Sequence, residues 1–470
     1  MQHYLGRVAA REVIAISPQS GMASLFIPAL ISIRTDLMEV FLKRVSLVAA
    51  LLTIASFLAG TTPVAHGQDT PPAPTTPQSH LDNTLEAGEA GSEDPTRRLV
   101  SWNEFDGKYV TIRVGGGFLY EYAAYAQDDD SKTQIRMFPD EKVRDLRILL
   151  KGRLKFFKKR KVTYSMGIMY DGNNDEWVGR QTGLMIEVPE IWGHLFIGRT
   201  KEGFSMNKVM VGYAGWTMER YTMNDTIPIL ADGVKWFGHN EKRHFIWNLG
   251  IYKDWISQSQ SFSTYDHQVV GRFAWVPEMS EDTVLHVGVS TRYGVPKDKK
   301  LQARSRPEAN PAPYFVDTGK FSANNTKMVG TEVYYRPGPV LVGSEYIFQK
   351  VDAPASGDPL FHGGDVFVSW MATGETRSYN TVGGYFNGIS PARPVFRGGP
   401  GGWEFVGRFS YIDLDGGTLR GGKFWRITPM VNWHMSDNVR LEMVYGYGNL
   451  DRFQLQGRTQ FFQTRIQFQL

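Results

Sequence analysis

The sequence contains no cysteine in its 470 residues. This absence excludes disulfide bridges, thiolate metal sites and thiol catalysis together. The charge excess is also small, because 52 Lys and Arg against 48 Asp and Glu leave a formal net charge of +4, which does not argue for a nucleic-acid partner. The ten histidines are scattered without the spacing of a metal site. We therefore expect neither a metal nor another cofactor.

Long apolar runs are confined to the N-terminal region. From Met38, a short basic stretch precedes an apolar run at 45–60, and a small-x-small sequence follows at 65–67. This order is typical of a secretory signal peptide ending near Gly67. A membrane anchor is the alternative, but the uncharged run is shorter than the ~20 residues of a spanning helix. Residues 1–37 are then a doubtful upstream extension or a start-site error.

The segment 68–98 is rich in Pro, Thr, Ser and Glu and has few large apolar residues. Such a composition cannot bury enough surface to fold and predicts a disordered linker. The folded part then spans residues 99–470 and holds no further run of 18 apolar residues, so we expect no spanning helix there. Aromatic residues at 13% and 49 glycines favour many strands joined by tight turns.

Apolar and polar residues alternate along most of this folded part. In "WEFVGRFSYID", Trp403, Phe405 and Phe409 share one parity, and Glu404 and Arg408 share the other. Similar alternation occurs at 150–156, 285–293, 425–435, 440–447 and in the last residues, "FFQTRIQFQL". In a strand the two parities point to opposite faces. The polar face is too charged to be the core of a soluble sheet.

An inside-out arrangement explains this alternation. If the apolar faces contact lipid and the polar faces line water, every backbone group is paired only when the sheet closes. We predict an all-β transmembrane antiparallel β-barrel; a soluble sandwich or β-helix is the alternative. About seventeen candidate strands lie between Tyr109 and Leu470, but such a barrel has an even number. We therefore predict 16 strands, with the surplus one between Gly212 and Phe237, and closure of the last strand against the first.

Several stretches resemble the phosphate-selective porin O and P family. They are "GGWEFVGRFSYIDLDGG" at 401–417, the block at 421–448, "HLFIGRTKEGFS" with Gly203 where the family has Pro, and "WTMER" at 216–220. The resemblance covers the chain from about Leu99 to Leu470. It implies a trimeric outer-membrane porin of 16 strands, with inward-folded segments and an arginine ladder that guides anions. The nearest match to that ladder is Arg304-Ser-Arg306.

Basic residues exceed acidic ones on the polar faces, and a ring of cations in a narrow pore favours anions. The alternative is that these charges pair across strands and keep the wall rigid. Three long segments could narrow the pore: 200–232, 295–325 and 387–402. The Pro content and mixed charge of 295–325 suit an exposed extracellular loop at least as well. The candidate pore-lining and anion-binding residues are Lys151, Arg153, Lys155, Lys201, Arg220, Arg272, Arg292, Arg336, Arg408 and Arg426.

Catalytic signals are weak. The "GGPGG" at 398–402 lacks the Lys-Ser/Thr of a phosphate-cradling loop, and the sequence shows no Ser/His/Asp or paired-acid cluster at one rim. We therefore predict a non-enzymatic outer-membrane porin that passes small hydrophilic solutes with an anion preference, phosphate included. Its partners are outer-membrane lipid and other copies in a homotrimer. The alternatives are a barrel enzyme and a plugged structural or adhesive barrel.

Overall fold

The computed structural model describes residues 103–172, 174–228, 230–256 and 264–470. The predicted extension, signal peptide and linker lie outside the described residues. Sixteen long strands dominate the described part. The barrel strands are β1 (Thr111–Gln127), β2 (Asp140–Arg153), β3 (Val162–Asp171), β4 (Glu176–Gly179 and Thr182–Val188), β5 (Gly193–Thr200), β6 (Ala231–Asn240), β7 (Phe245–Tyr252), β8 (Tyr265–Met279), β9 (Thr283–Pro296), β10 (Asn325–Pro337), β11 (Val340–Asp352), β12 (Leu360–Met371), β13 (Gly402–Gly416), β14 (Leu419–His434), β15 (Val439–Arg452) and β16 (Leu455–Gln469).

These strands form one closed antiparallel sheet. Each strand pairs with its neighbours in the chain, and β1 pairs with β16 in a register that runs from Gly117 opposite Gln469 to Gln127 opposite Thr459. The predicted barrel of 16 strands, closed by the last strand against the first, is confirmed. Within 212–237, where the surplus candidate was expected, the only barrel strand of the described residues is β6.

Side chains of the two parities lie on opposite faces of the sheet, as the alternation predicts. On β13, Phe405 and Phe409 are 44% and 43% exposed, whereas Glu404 and Arg408 are 0% and 3% exposed. The exposed apolar face suits a lipid environment, and the charged face is enclosed within the barrel. Near the end of the barrel that holds the C-terminus, Trp403 stacks on Trp433 with ring centroids 5.2 Å apart, as expected for an interfacial aromatic girdle. None of the described helices is long and apolar enough to span a membrane.

Strand β4 is interrupted in its middle. Both of its parts pair with β3, and Arg180 and Gln181 lie in the gap between them. Both side chains are 5% exposed. A local break in the hydrogen-bond ladder of a strand changes the direction of the side chains beside it. Here the break places the Arg180 side chain among the buried residues within the barrel.

The remaining elements are short. We call the end of the barrel with the C-terminus the termini end, and the opposite one the loop end. The helices are α1 (Asp129–Gln134), α2 (Met206–Val209) and the 3₁₀ turns Pro189–Ile191, Gly212–Ala214, Thr222–Thr226, Lys297–Lys299, Pro354–Ser356 and Val395–Arg397. The short strands are Glu104–Asp106, Lys300–Leu301, Arg304–Ser305, Val316–Asp317, Phe321–Ser322, Tyr379–Asn380 and Tyr385–Phe386.

Three connections fold into the barrel and contribute many of its buried apolar side chains. Segment 201–230 follows β5 and segment 297–324 follows β9, both from the loop end; segment 372–401 follows β12 from the termini end. Trp216 of the first segment and Tyr385 of the third are fully buried, and Phe315 of the second is 1% exposed. All three regions that the sequence offered as constrictions therefore enter the barrel, and they decide where space remains inside it.

Candidate functional site

Segment 201–230, which we call the inward segment, is fixed at its start to the wall formed by β10 and β11. Glu332 and Glu345 lie opposite each other on these strands. The backbone N–H of Met206 donates to Glu332 at 2.8 Å, and that of Asn207 donates to Glu345 at 2.9 Å. The Ser205 hydroxyl also donates to Glu345 at 2.5 Å. The two carboxylates accept hydrogen bonds from the first two amide groups of α2. These groups have no acceptor within the helix itself.

The later part of the inward segment is attached to a second part of the wall. The Trp216 ring stacks on the Phe367 ring of β12 with centroids 4.7 Å apart. The backbone carbonyl of Trp216 accepts a hydrogen bond from the Asn432 side chain of β14 at 2.8 Å. The Gly215 carbonyl accepts from Arg440 of β15 at 2.6 Å. These contacts hold the inward segment against the wall from β10 to β15.

A small cavity lies where the inward segment faces the opposite wall, formed by β2, β3 and β4. It is bounded by Asp145, Met169, Gly212 and six basic side chains. We call these six the cationic cluster: they are Arg144, Arg147, Arg180, Lys201, Lys208 and Arg220. The lining of the cavity thus carries six positive groups and one carboxylate, a strongly cationic set in an enclosed place.

Acidic groups orient some members of this cluster. Arg147 donates to Asp145 at 2.6 Å, and its guanidinium lies 4.2 Å from the centroid of the Tyr213 ring. Arg144 donates to Glu219 at 3.0 Å and lies 3.7 Å from Asp171. Such contacts fix the directions of the guanidinium groups, so the arrangement is preorganised before a solute arrives.

The surroundings lower the pKa values of two titratable groups of the inward segment, with opposite effects on their charge. Burial alone would raise the pKa of Glu219, but the guanidinium groups of Arg144 and Arg465 lower it to about 2. Burial, and next the nearby charge of Arg220, lower the pKa of Lys208 to about 7. Glu219 is therefore ionised throughout the physiological range, whereas Lys208 changes its charge within it.

The inner face of β2 extends the basic character toward the termini end. Arg147, Lys151 and Arg153 share the lumen-facing parity, and their strand positions span about 20 Å at the usual rise of a strand. Lys151 is 7% exposed, and Arg153 is half-buried. Arg113 of β1 lies directly opposite Lys151. We call the inner face of β2, β3 and β4 the cationic wall.

Of the ten residues predicted from the sequence, four lie along this wall or at its cavity. Lys201 and Arg220 line the cavity, and Lys151 and Arg153 follow it on β2. Lys155 lies beyond β2 at the rim of the termini end, where it pairs with Asp106. The structure therefore brings half of the candidates to one side of the barrel.

The other five candidates lie on the inner face of β8 to β16, which we call the paired wall. Arg272 donates to Glu332 at 2.8 Å, Arg292 donates to Glu202 at 2.7 Å, and Arg408 pairs with Glu308. Two more donate to backbone carbonyl groups. Arg426 donates to those of Pro307 and Glu308, and Arg336 donates to those of Ser280 and Glu281. Side chains of the paired wall hold inward segments and turns in place.

Four members of the cationic cluster are absent from the sequence prediction. The sequence contains a signal for Arg147 as a lumen-facing residue, because it shares its parity with Lys151 and Arg153 on one predicted strand. Arg180 lies in the break of β4, and Arg144 lies at a register shift between β1 and β2, so alternation fails at both places. Lys208 belongs to the inward segment, where no regular period exists that could place it.

Comparisons with known proteins bear on the whole barrel. A family model described as phosphate-selective porin O and P matches residues 112–470. An uncharacterized protein of Caulobacter vibrioides is 27% identical over 192 residues, which are 37% of this chain and 36% of that protein. The chain thus matches only about a third of that relative's length.

Two solved structures share the architecture. Outer-membrane expressed OmpT of Vibrio cholerae has a TM-score of 0.50 at 10% identity, over 78% of this chain and 100% of that one. The outer membrane channel DcaP of Acinetobacter baumannii has a TM-score of 0.50 at 9% identity, over 78% of this chain and 99% of that one. At such identities the likeness concerns the fold alone.

Proposed function

This chain belongs to the phosphate-selective porin O and P family, and on that premise we propose that anions cross its barrel along the cationic wall. The chain forms an outer-membrane diffusion channel for small hydrophilic solutes with a preference for anions, and a preference for phosphate fits the family. The observation that carries our assignment of the route is the cavity lining, with six basic side chains and one carboxylate.

The proposed mechanism is electrostatic and steric. In a narrow, enclosed passage the basic groups replace part of the hydration shell of an anion, and a cation meets repulsion at the same place. The inward segment sets the size limit, because its contacts with the wall from β10 to β15 hold it beside the cavity. Guanidinium groups suit phosphate because their paired N–H groups match two of its oxygens.

The residues of β2 continue the proposed route beyond the cavity. An anion released by Arg147 meets Lys151 and then Arg153 on the same face of one strand. Several moderate sites in sequence permit conduction better than one tight site, since the solute must leave as readily as it arrives. Lys201 and Arg220 act at the cavity itself in this proposal, together with Lys208 and Arg180.

We also propose that the mature chain begins after the predicted cleavage near Gly67 and assembles as a homotrimer, as the family resemblance implies. N-terminal sequencing of protein isolated from outer membranes tests the first proposal. Light scattering of the detergent-solubilised protein tests the second. A start upstream of Met38 would overturn the first proposal. A monomer with full channel activity would overturn the second.

Electrical recording of the refolded protein from Gln68 onward tests the channel and its selectivity. We expect stepwise conductance in a planar bilayer, a reversal potential that favours chloride under a KCl gradient, and a reduced chloride current when phosphate is added. Lys327→Gln is a matched control, because Lys327 lies on the exposed face of β10 and its loss leaves the lumen unchanged. A folded barrel without conductance would instead support the plugged alternative.

A further inference from the structure

A second basic region lies outside the channel, in the turn between β2 and β3. Residues 154–161 read "LKFFKKRK" and contain five basic residues and no acidic one. We call this segment the basic turn. Lys155, Lys158 and Lys159 are exposed, and Arg160 and Lys161 are half-buried. This density of one charge is high for a short turn at the edge of a barrel.

Only part of this charge has a partner in the protein. Lys155 pairs with Asp106, and Arg160 pairs with Glu190 of the following turn. Lys158 and Lys159 form no hydrogen bond or ion pair with any other residue that the structure describes. Two adjacent exposed ammonium groups repel each other, and an anionic partner from outside the chain would relieve this repulsion.

Exposed aromatic side chains surround the basic turn. Phe156 and Phe157 are 56% and 46% exposed, and their ring centroids lie 4.5 Å apart. Trp192, in the next turn on the same rim, is 75% exposed, and Tyr109 is 60% exposed beside the ammonium group of Lys108 at 5.2 Å. Aromatic side chains placed next to basic ones at the end of a membrane barrel are typical of the lipid headgroup level.

The position of the turn identifies the leaflet. It lies at the termini end, and in outer-membrane barrels the short turns and both chain ends face the periplasm. Lipid-facing Leu150 lies on β2 just before the turn, and Phe156 shares its parity, so the exposed apolar face of the barrel leads into the turn. The basic turn therefore lies at the inner-leaflet boundary.

We propose that the basic turn binds the phosphate groups of anionic phospholipids in the inner leaflet, with Phe156 and Phe157 inserted at the headgroup boundary. Lys158 and Lys159 supply the attraction, and the two phenyl rings select a lipid over a water-soluble polyanion. Charge next to an apolar anchor is the combination that retains anionic lipid at a membrane surface. This site is separate from the channel and does not depend on its ion selectivity.

Native mass spectrometry of the refolded full barrel with phosphatidylglycerol or phosphatidylcholine tests this proposal. We expect Lys158→Gln/Lys159→Gln to retain several-fold less phosphatidylglycerol than the unchanged protein, with phosphatidylcholine binding unaltered. Lys299→Gln/Lys320→Gln is the matched control, since it removes two exposed lysines at the loop end. Equal retention in the first variant, or an equal loss in the control, would overturn the proposal.

A second variant tests the choice of a lipid over a soluble anion. Phe156→Ser/Phe157→Ser keeps every charge of the basic turn, and we expect it to lose phosphatidylglycerol as well. Unchanged retention in this variant would contradict the lipid assignment. The reversal potential, measured on the same samples, should not change in either variant, which separates this site from the channel.

Discussion

The two walls of the barrel interior carry similar residues in different surroundings. On the paired wall, each of several buried arginines meets a carboxylate from a strand or an inward segment. The pairs are Arg272 with Glu332, Arg292 with Glu202, Arg408 with Glu308 and Arg465 with Glu121, and Glu404 of the same wall pairs with Arg377 of segment 372–401. On the cationic wall, the cavity lining holds six basic groups and one carboxylate. In our proposal, local charge balance decides whether a lumen-facing arginine anchors a segment or contacts a solute.

The difference follows from where the inward segments lie. They pack mainly against β8 to β16, where the buried arginines meet carboxylates or backbone carbonyl groups, because an isolated buried charge is costly. Along β2 to β4 the cavity remains, and in our proposal a passing anion interacts with the basic groups that line it. Substitutions on the two walls should therefore have different effects, the largest on stability and the smaller ones on transport.

Removing a carboxylate from the paired wall should damage the fold. Glu404 is fully buried and accepts from Arg377 at 2.7 Å and from Asn432 at 2.8 Å. Glu404→Gln leaves the Arg377 charge without its partner, a change that costs about 3–5 kcal/mol in buried pairs. Urea unfolding in detergent micelles measures it. Glu281→Gln, at an exposed turn, is the control and should change stability little.

Removing charge from the cationic wall should primarily alter transport. We expect Arg147→Gln/Arg180→Gln to weaken phosphate block of the chloride current by about tenfold or more, because a hydrogen bond to a charged group contributes about 1.5–3 kcal/mol. Current recordings at increasing phosphate concentration give this value. Block as strong as in the unchanged protein would contradict our assignment of the cavity.

The residues beyond the cavity should have a smaller effect. Lys151→Gln is expected to lower the chloride conductance about two- to threefold, since an anion leaving Arg147 then loses one of its successive contacts. The affinity for blocking phosphate should change less than the conductance. Single-channel recordings at fixed voltage test both values. A conductance equal to that of the Lys327→Gln control would place the route away from β2.

The smallest expected effect is a pH dependence from one lysine. Since burial lowers the pKa of Lys208 to about 7, this group is charged below that pH and neutral above it. The anion preference should therefore be higher at pH 6 than at pH 8, by about twofold or less. Reversal potentials at the two pH values measure it. Lys208→Gln should remove the difference, and a dependence that persists in this variant would assign it to another group.

The alternating pattern predicted the fold well because a membrane barrel has one face in lipid and one in water. Closure and the facing of residues such as Glu404 and Phe405 follow from this alternation, whereas the number of strands was set by the rule that such barrels have an even number. Parity also places Arg292 and Lys151 on the same surface, but it contains no information on which inward segment brings a carboxylate, here that of Glu202, to Arg292. The role of each cation therefore depends on contacts between residues far apart in the sequence.

The cationic cluster was only partly predictable for a related reason. Arg147 follows from the parity of β2, whereas Arg180 reaches the cavity through a break in β4. Lys208 lies in a segment without regular structure, where its position depends on carbonyl groups at Asn224 and Ile227 that accept its hydrogen bonds at 3.1 and 2.7 Å. Local irregularities thus supply the part of the site that no periodic pattern shows.

The most direct test of the assigned route is to locate anions inside the barrel. Crystals of the refolded protein soaked in bromide should give anomalous difference peaks in the cationic cluster and near Lys151 and Arg153, with none beside the paired arginines Arg272 and Arg408. Peaks beside Arg272 or Arg408, with an empty cationic wall, would contradict the account.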